Sequence, residues 1–202
     1  MSNIGAAGAG AAEDNSGKFK EIDGRVRIAE LVLRFGICAT AIVAFVLIMT
    51  DTQVREFFTI QKTAKFSDMK SLIFLVVANG IVAAYSFVQG VRCIVTMLRG
   101  NMLLSKPLAW AIFSCDQVIA YLTVAAVAAA LQSSIIGQFG EPKLQWMELC
   151  SLYGKFCKQA GEGLVSAVIA SLGMVAISGI SAFSLFRLYH GNNGSWLQYL
   201  AY

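Results

Sequence analysis

Four blocks of this chain, at 28–49, 71–95, 108–131 and 164–188, each run for more than twenty residues with almost nothing but apolar side chains. A helix needs about 20 such residues to cross roughly 30 Å of hydrocarbon. In lipid a backbone must satisfy its own N–H and C=O groups, and no segment alternates apolar and polar residues as a barrel strand would, so each block predicts a spanning helix. The fold class that follows is all-α, a four-helix transmembrane bundle. Composition agrees: 57% of the 202 residues are hydrophobic and 14% charged, and no soluble core could hide apolar sequence in blocks of this length. A net charge of +4, without a basic surface interleaved with aromatics, gives no reason to expect a nucleic-acid partner.

Residues 1–27 lack the apolar core of a signal peptide and read as a Gly/Ala-rich, disordered cytoplasmic tail; residues 190–202 read as a second, short tail. The first span then serves as targeting signal and anchor. Orientation follows from the short connection between spans two and three, where Arg99 and Lys106, with Arg92 just before, meet no acid. With Lys18, Lys20, Arg25, Arg27 and Arg187 that side holds eight basic residues against seven on the other, so the middle connection and Arg25/Arg27 decide: both termini are expected in the cytoplasm. The sequon Asn193-Gly194-Ser195 would then stay unmodified.

Charges interrupt the apolar blocks in few places. Glu30 stands at the edge of span one; Arg34 lies about 9 Å inside it, and Asp116 about 12 Å inside span three, at 1.5 Å per residue. Both spans enter from the same side, so the opposite charges sit at similar depth. A lone charge in hydrocarbon costs at least a few kcal/mol and turns inward to a partner. An Arg34–Asp116 bridge between spans one and three is therefore expected. The plainer alternative pairs Arg34 with Glu30 one turn earlier, or lets it snorkel, and leaves Asp116 neutral. A simple two-charge pair should survive exchange of its partners. Beyond these, Asn79, Gln89 and Gln117 supply the remaining intramembrane polarity.

Small residues mark packing faces, because lipid gives little hydrophobic drive and close backbone approach must supply the association. Span four carries Gly163, Ala167 and Ser171 at four-residue spacing and, further on, Ser178, Gly179 and Ala182; span three carries Ala125, Ala126, Ala128, Ala129 and Ala130. Packing within one bundle and a face for self-association both fit. Of five cysteines, Cys38 and Cys115 lie in spans, and Cys93, near a span end, is either a small apolar residue or a palmitoylation site. Cys150 and Cys157 share the long connection between spans three and four, on the side that permits disulfides, and are expected to be joined, a closure worth about 2–3 kcal/mol.

No nucleophile–His–acid arrangement, phosphate-binding loop or metal-ligand cluster is visible; His190 is the single histidine, and Gly5–Gly10 follows no strand. The chain is read as no enzyme, without catalytic, cofactor-binding or metal residues, and no small-molecule ligand is implied. Organisation, adhesion or conduction remain.

Taken in order, Phe66-Ser67-Asp68, the run Phe74-Leu75-Val76-Val77-Ala78-Asn79-Gly80-Ile81-Val82-Ala83-Ala84-Tyr85, the intramembrane charges Arg34 and Asp116, and Trp146, Cys150, Phe156-Cys157 and Gly161 resemble the Casparian strip membrane domain protein-like (CASP-like) family of land plants, relatives of the four-span MARVEL proteins. The likeness covers about residues 26–190. It implies a plasma-membrane protein whose partners are lipid, itself and its relatives, in homo- and heterodimers or larger assemblies. Founding members build immobile platforms and gather wall-modifying enzymes. Gln61-Lys62-Thr63-Ala64-Lys65 stands where those members carry their strip-specific signature, so the chain looks more like the second CASP-like subfamily. Claudins, tetraspanins and gap-junction proteins place their cysteines differently. The expected function is a membrane scaffold; the alternative is a small channel or transporter, or its accessory subunit, using the Arg34/Asp116 polarity.

Overall fold

The computed structural model describes residues 24–52, 67, 69–99, 107–140, 148, 150 and 153–186 in full, and the backbone alone of 5–23, 53–57, 60–65, 106 and 187–200. Trp146, Glu141 and the side chains of His190 and of the sequon lie outside that description. Four helices carry the fold: α1 (Gly5–Met49), α2 (Lys70–Arg99), α3 (Lys106–Phe139) and α4 (Gly154–Leu200). Each contains a segment long and apolar enough to cross a membrane: Gly24–Met49, Lys70–Arg99, Pro107–Phe139 and Gly154–Phe186. The protein is thus a multi-pass membrane protein with the four-helix architecture its apolar blocks predict.

The helices outrun those blocks. Hydropathy sees only the part that needs lipid, whereas a formed helix extends into polar ends without a second nucleation cost. The same reason corrects the expected N-terminal tail: the backbone is helical from Gly5, through a stretch in which Ala6, Ala7, Ala9, Ala11 and Ala12 favour helix while Gly8 and Gly10 oppose it. At the other terminus α4 continues through most of the segment assigned to a tail. The connection between α1 and α2 also departs from the expected loop. Strands β1 (Thr52–Phe57) and β2 (Ile60–Lys65) pair antiparallel from Thr52↔Lys65 to Phe57↔Ile60, a hairpin that rests through β1 on α4.

The helices form a closed ring in which α1 meets α2 and α4, and α3 meets α2 and α4. The side chains turned outward are large and apolar, among them Val32, Val77, Val118, Ile169 and Phe186. Small side chains fill the inside: Ala41, Ala44, Ala78, Ala126, Ala130, Ala167 and Ala170. One apolar core lies toward the hairpin, around Ile48, Leu75, Ala126, Phe156 and Leu164, and a second lies mid-bundle around Ile37, Val82, Met174 and Ile177. Polar side chains gather beyond the second core, toward the ends that bear the chain termini.

The α1–α4 contact is the tightest. A Cβ on Gly163 would come within 2.6 Å of Ile48 Cγ1, and one on Gly173 within 2.6 Å of Ile37 Cγ1. Gly163, Ala167 and Ser171 are all buried. Gly179 is not: it is exposed, and a Cβ there would meet nothing within 4 Å. Helical geometry gives the reason. Four-residue steps advance about 40° each, so by Gly179 the row begun at Gly163 has turned roughly 160° from the neighbour. The buried track instead mixes three- and four-residue steps, from Ala167 through Ala170, Met174 and Ile177.

Gly163→Val should overpack this contact and cost about 1–3 kcal/mol in a detergent unfolding titration. Pairing it with Ile48→Ala should recover part of the loss. Gly179→Val should leave the unfolding of the monomeric bundle unchanged.

Candidate functional site

Where α1, α2, α3 and α4 converge beyond the mid-bundle core, each contributes one polar side chain to a single cluster. Arg34 and Asp116 are both fully buried, at 0% exposure. Arg34 meets Asp116 in a fork: Nη1 donates to Oδ1 at 3.1 Å and Nη2 to Oδ2 at 2.9 Å. Tyr85 of α2 donates its hydroxyl to Asp116 Oδ1 at 2.7 Å, and Ser181 of α4 donates to Oδ2. The carboxylate therefore accepts four hydrogen bonds, which fills its lone-pair positions. Arg34 Nε donates to Glu30 Oε1 at 3.0 Å, and the guanidinium carbon lies 5.8 Å from the centre of the Tyr85 ring.

Charge and geometry explain one another here. Two ions taken from water lose several kcal/mol of solvation each, and only a well-aligned pair with further hydrogen bonds offsets that loss. The planar guanidinium matches a carboxylate bidentately. Tyr85 and Ser181 supply the additional donors, and Glu30 occupies the remaining edge of Arg34. The two readings of Arg34 left open by the sequence are thus joined: it pairs with Asp116 across the bundle and with Glu30 along its own helix. Glu30 also approaches Arg92 of α2, 3.9 Å away, whose Nε donates to Gln89 at 2.6 Å.

The other intramembrane polar residues find partners close by. Ser178 donates to Gln117 between α4 and α3. Asn79 bonds its own helix, donating to the Leu75 carbonyl at 2.8 Å. Cys93 is buried, with its sulfur 3.9 Å from the Arg27 carbonyl, which fits a packed thiol and not an accessible acylation site. Tyr85 and Ser181 were not singled out by sequence reasoning as members of the cluster. Their signal was available: each is a hydroxyl on the inner face of a span, at a depth where it needs a polar partner.

At the hairpin end, Cys150 and Cys157 are joined by a disulfide with Cα atoms 5.6 Å apart. Cys157 packs against the first apolar core, and its amide donates to the Tyr153 carbonyl at 3.1 Å, so the bridge ties the preceding connection to the first turn of α4. Gln159, two residues on from Cys157, reaches over to α1. Its Nε2 donates to the Leu47 carbonyl at 2.8 Å and to Thr50 Oγ1 at 3.2 Å. A helix leaves its last carbonyls unbonded, and Gln159 satisfies one of α1's from a neighbouring helix.

Comparison with known proteins places these residues in context. The model of the Casparian strip membrane protein domain matches residues 23–173. CASP-like protein 2B1 of Vitis vinifera is 69% identical over 176 residues, 87% of each chain. CASP-like protein 2B2 of Populus trichocarpa is 64% identical over 175 residues, again 87% of each, and CASP-like protein 2B2 of Arabidopsis thaliana is 61% identical over the same share of both chains. No solved structure matches.

Asp116→Asn should strand the Arg34 charge and cost about 3–5 kcal/mol of bundle stability, whereas Arg34→Met with Asp116→Leu should cost much less, both read by unfolding in micelles. Exchange of the charges should fail. With Arg34→Asp and Asp116→Arg, the new carboxylate faces Glu30 and the new guanidinium faces two hydroxyl donors, so the double variant should be no more stable than the single ones. Cys150 and Cys157 should resist thiol alkylation in the native protein and react after reduction, as mass spectrometry of the labelled chain would show.

Proposed function

The chain belongs to the Casparian strip membrane protein domain family, and from that premise we propose that it is a plasma-membrane scaffold, which assembles with itself and with relatives into membrane domains and offers its hairpin end to cell-wall-modifying machinery. The observation that carries this reading is the closed polar lock. Asp116 accepts from Arg34, Tyr85 and Ser181 at once, and Arg34 gives its remaining Nε–H to Glu30. A conducting path needs polar groups that a passing ion or solute can bind in turn; here the groups hold four helices in one arrangement instead.

The rest of the molecule suits a scaffold. Its outward face is apolar, as lipid or a neighbouring bundle requires, and the exposed stretch around Ala176 and Gly179 lets a second backbone come near. In this reading the basic α2–α3 connection faces the cytoplasm with both termini, and the hairpin and disulfide face outward. The outer end is then braced for presentation, by the Cys150–Cys157 bridge and by Gln159 on α1.

Photobleaching recovery of a tagged copy in plant plasma membrane, beside a freely diffusing four-span control, tests the proposal. Slow, incomplete recovery in patches or bands is expected, with recovery restored toward the control by Asp116→Asn. Fast and uniform recovery, even with relatives co-expressed, would count against a scaffold. Ion or solute flux in reconstituted bilayers, abolished by Asp116→Asn, would replace it with the channel reading.

A further inference from the structure

One residue, Thr50, separates Asp51 from the end of α1, and Asp51 directly precedes β1. It is 2% exposed, and its Oδ2 is the one buried side-chain nitrogen or oxygen without a hydrogen-bond partner among the described residues. A buried orphan of this kind needs an explanation, because such groups are rare in native folds and a carboxylate without partners cannot stay buried cheaply. Among the described residues no hydrogen-bond partner reaches Asp51 Oδ2. Lys70 at the start of α2, Glu148, and Lys155, Lys158 and Glu162 on α4 are all exposed, and burial alone lifts the Asp51 carboxyl from an ordinary 3.8 to about 6. The hairpin's Arg55, Glu56, Lys62 and Lys65, together with Asp68, Glu141 and Lys143, have side chains outside the described residues.

The position matters as much as the chemistry. On one side of Asp51 the backbone is fixed: Gln159 holds the Leu47 carbonyl and Thr50, and the Asp51 amide donates to the Ile48 carbonyl at 3.2 Å. On the other side the chain enters the hairpin, which rests on α4 through β1. Asp51 is thus the joint between a pinned helix end and the segment that the α1–α2 connection presents.

We propose that Asp51 is a proton-operated latch: with its carboxyl neutral and buried the hairpin closes down on α1 and α4, and with the carboxyl ionised the joint opens to water and the hairpin loosens. The step releases one proton from the carboxyl to solvent and needs nothing else. Its direction follows from linkage. The closed form holds the proton up to about 6 and the open form only up to 3.8, so closure is strongest in acid and weakens as pH rises between those values. Above about pH 6 the loss is complete, an increase in the opening constant on the order of 100-fold. The surface offered beside the membrane would then depend on the acidity of the compartment that the hairpin faces.

The test compares the full-length protein in nanodiscs with Asp51→Asn, a permanently neutral near-isostere, by hydrogen–deuterium exchange. At any one pH the intrinsic exchange rates of the two proteins cancel. The amides of 52–65 should exchange faster in the native protein than in the variant, and the ratio should grow about 20-fold between about pH 4.5 and about pH 7, while α2 and α3 stay equal. An unchanging ratio would overturn the latch. Should Asp51→Asn fail to assemble, isotope-edited infrared spectra of the native protein decide: loss near pH 6 of one protonated-carboxyl band, accompanied by faster exchange of 52–65, supports the proposal, and ordinary titration of every carboxyl near 4 refutes it.

Discussion

A guanidinium and a carboxylate in hydrocarbon have almost no freedom of arrangement. Each must find the other, and the meeting of Arg34 and Asp116 fixes the relative depth and rotation of α1 and α3, helices that lie across the ring from each other. Once that diagonal is set, Tyr85 and Ser181 must stand within hydrogen-bond reach of the same carboxylate, which brings α2 and α4 into register as well. The apolar cores on the hairpin side then need only fill space. They do so with small residues, and the closest approaches, at Gly163 and Gly173, lie between α1 and α4, which no ion pair connects among the described residues.

The division of labour between polar and apolar contacts follows from the solvent. In water, burial of Val32 or Phe186 would drive the helices together; in lipid those side chains are as comfortable outside as in. What remains is directional hydrogen bonding in a low dielectric and van der Waals contact at short range. The first says which helix goes where, and the second says how close. An apolar replacement of the ion pair could keep the bundle stable and still lose the unique placement of its helices, which is the property a repeating assembly needs from its unit.

Much of this was legible in the chain. Four apolar blocks dictated four spanning helices, and the shared depth of Arg34 and Asp116 pointed to their contact. The family resemblance, carried by short motifs in the right order, agrees with the comparisons. What was not legible has physical causes. Hydropathy is silent about helix beyond the lipid, so the extensions at both termini were read as tails. The hairpin carries no Asn-Gly or Asp-Gly turn between its strands, so the usual signal was missing. Gly179 looked equivalent to Gly163 by spacing and is not, because a four-residue row drifts round a helix. Tyr85 and Ser181 carry a legible need for a polar partner, but that the partner is Asp116 follows only from the geometry, and Asp51, one polar residue at a span's edge, acquires meaning only from its burial.

The Arg34–Asp116 bond joins residues 82 positions apart, in the first and third spans. A ribosome working at about 5–20 residues per second needs roughly 4–16 s to deliver the second partner after the first. For that interval Arg34 has Glu30 beside it and no Asp116. The nascent α1 must wait displaced toward the headgroups, with its guanidinium still hydrated, and settles to its final depth only when α3 arrives. The order in which the helices are made is thus written into the bundle: its first segment is held provisionally until the third one completes it.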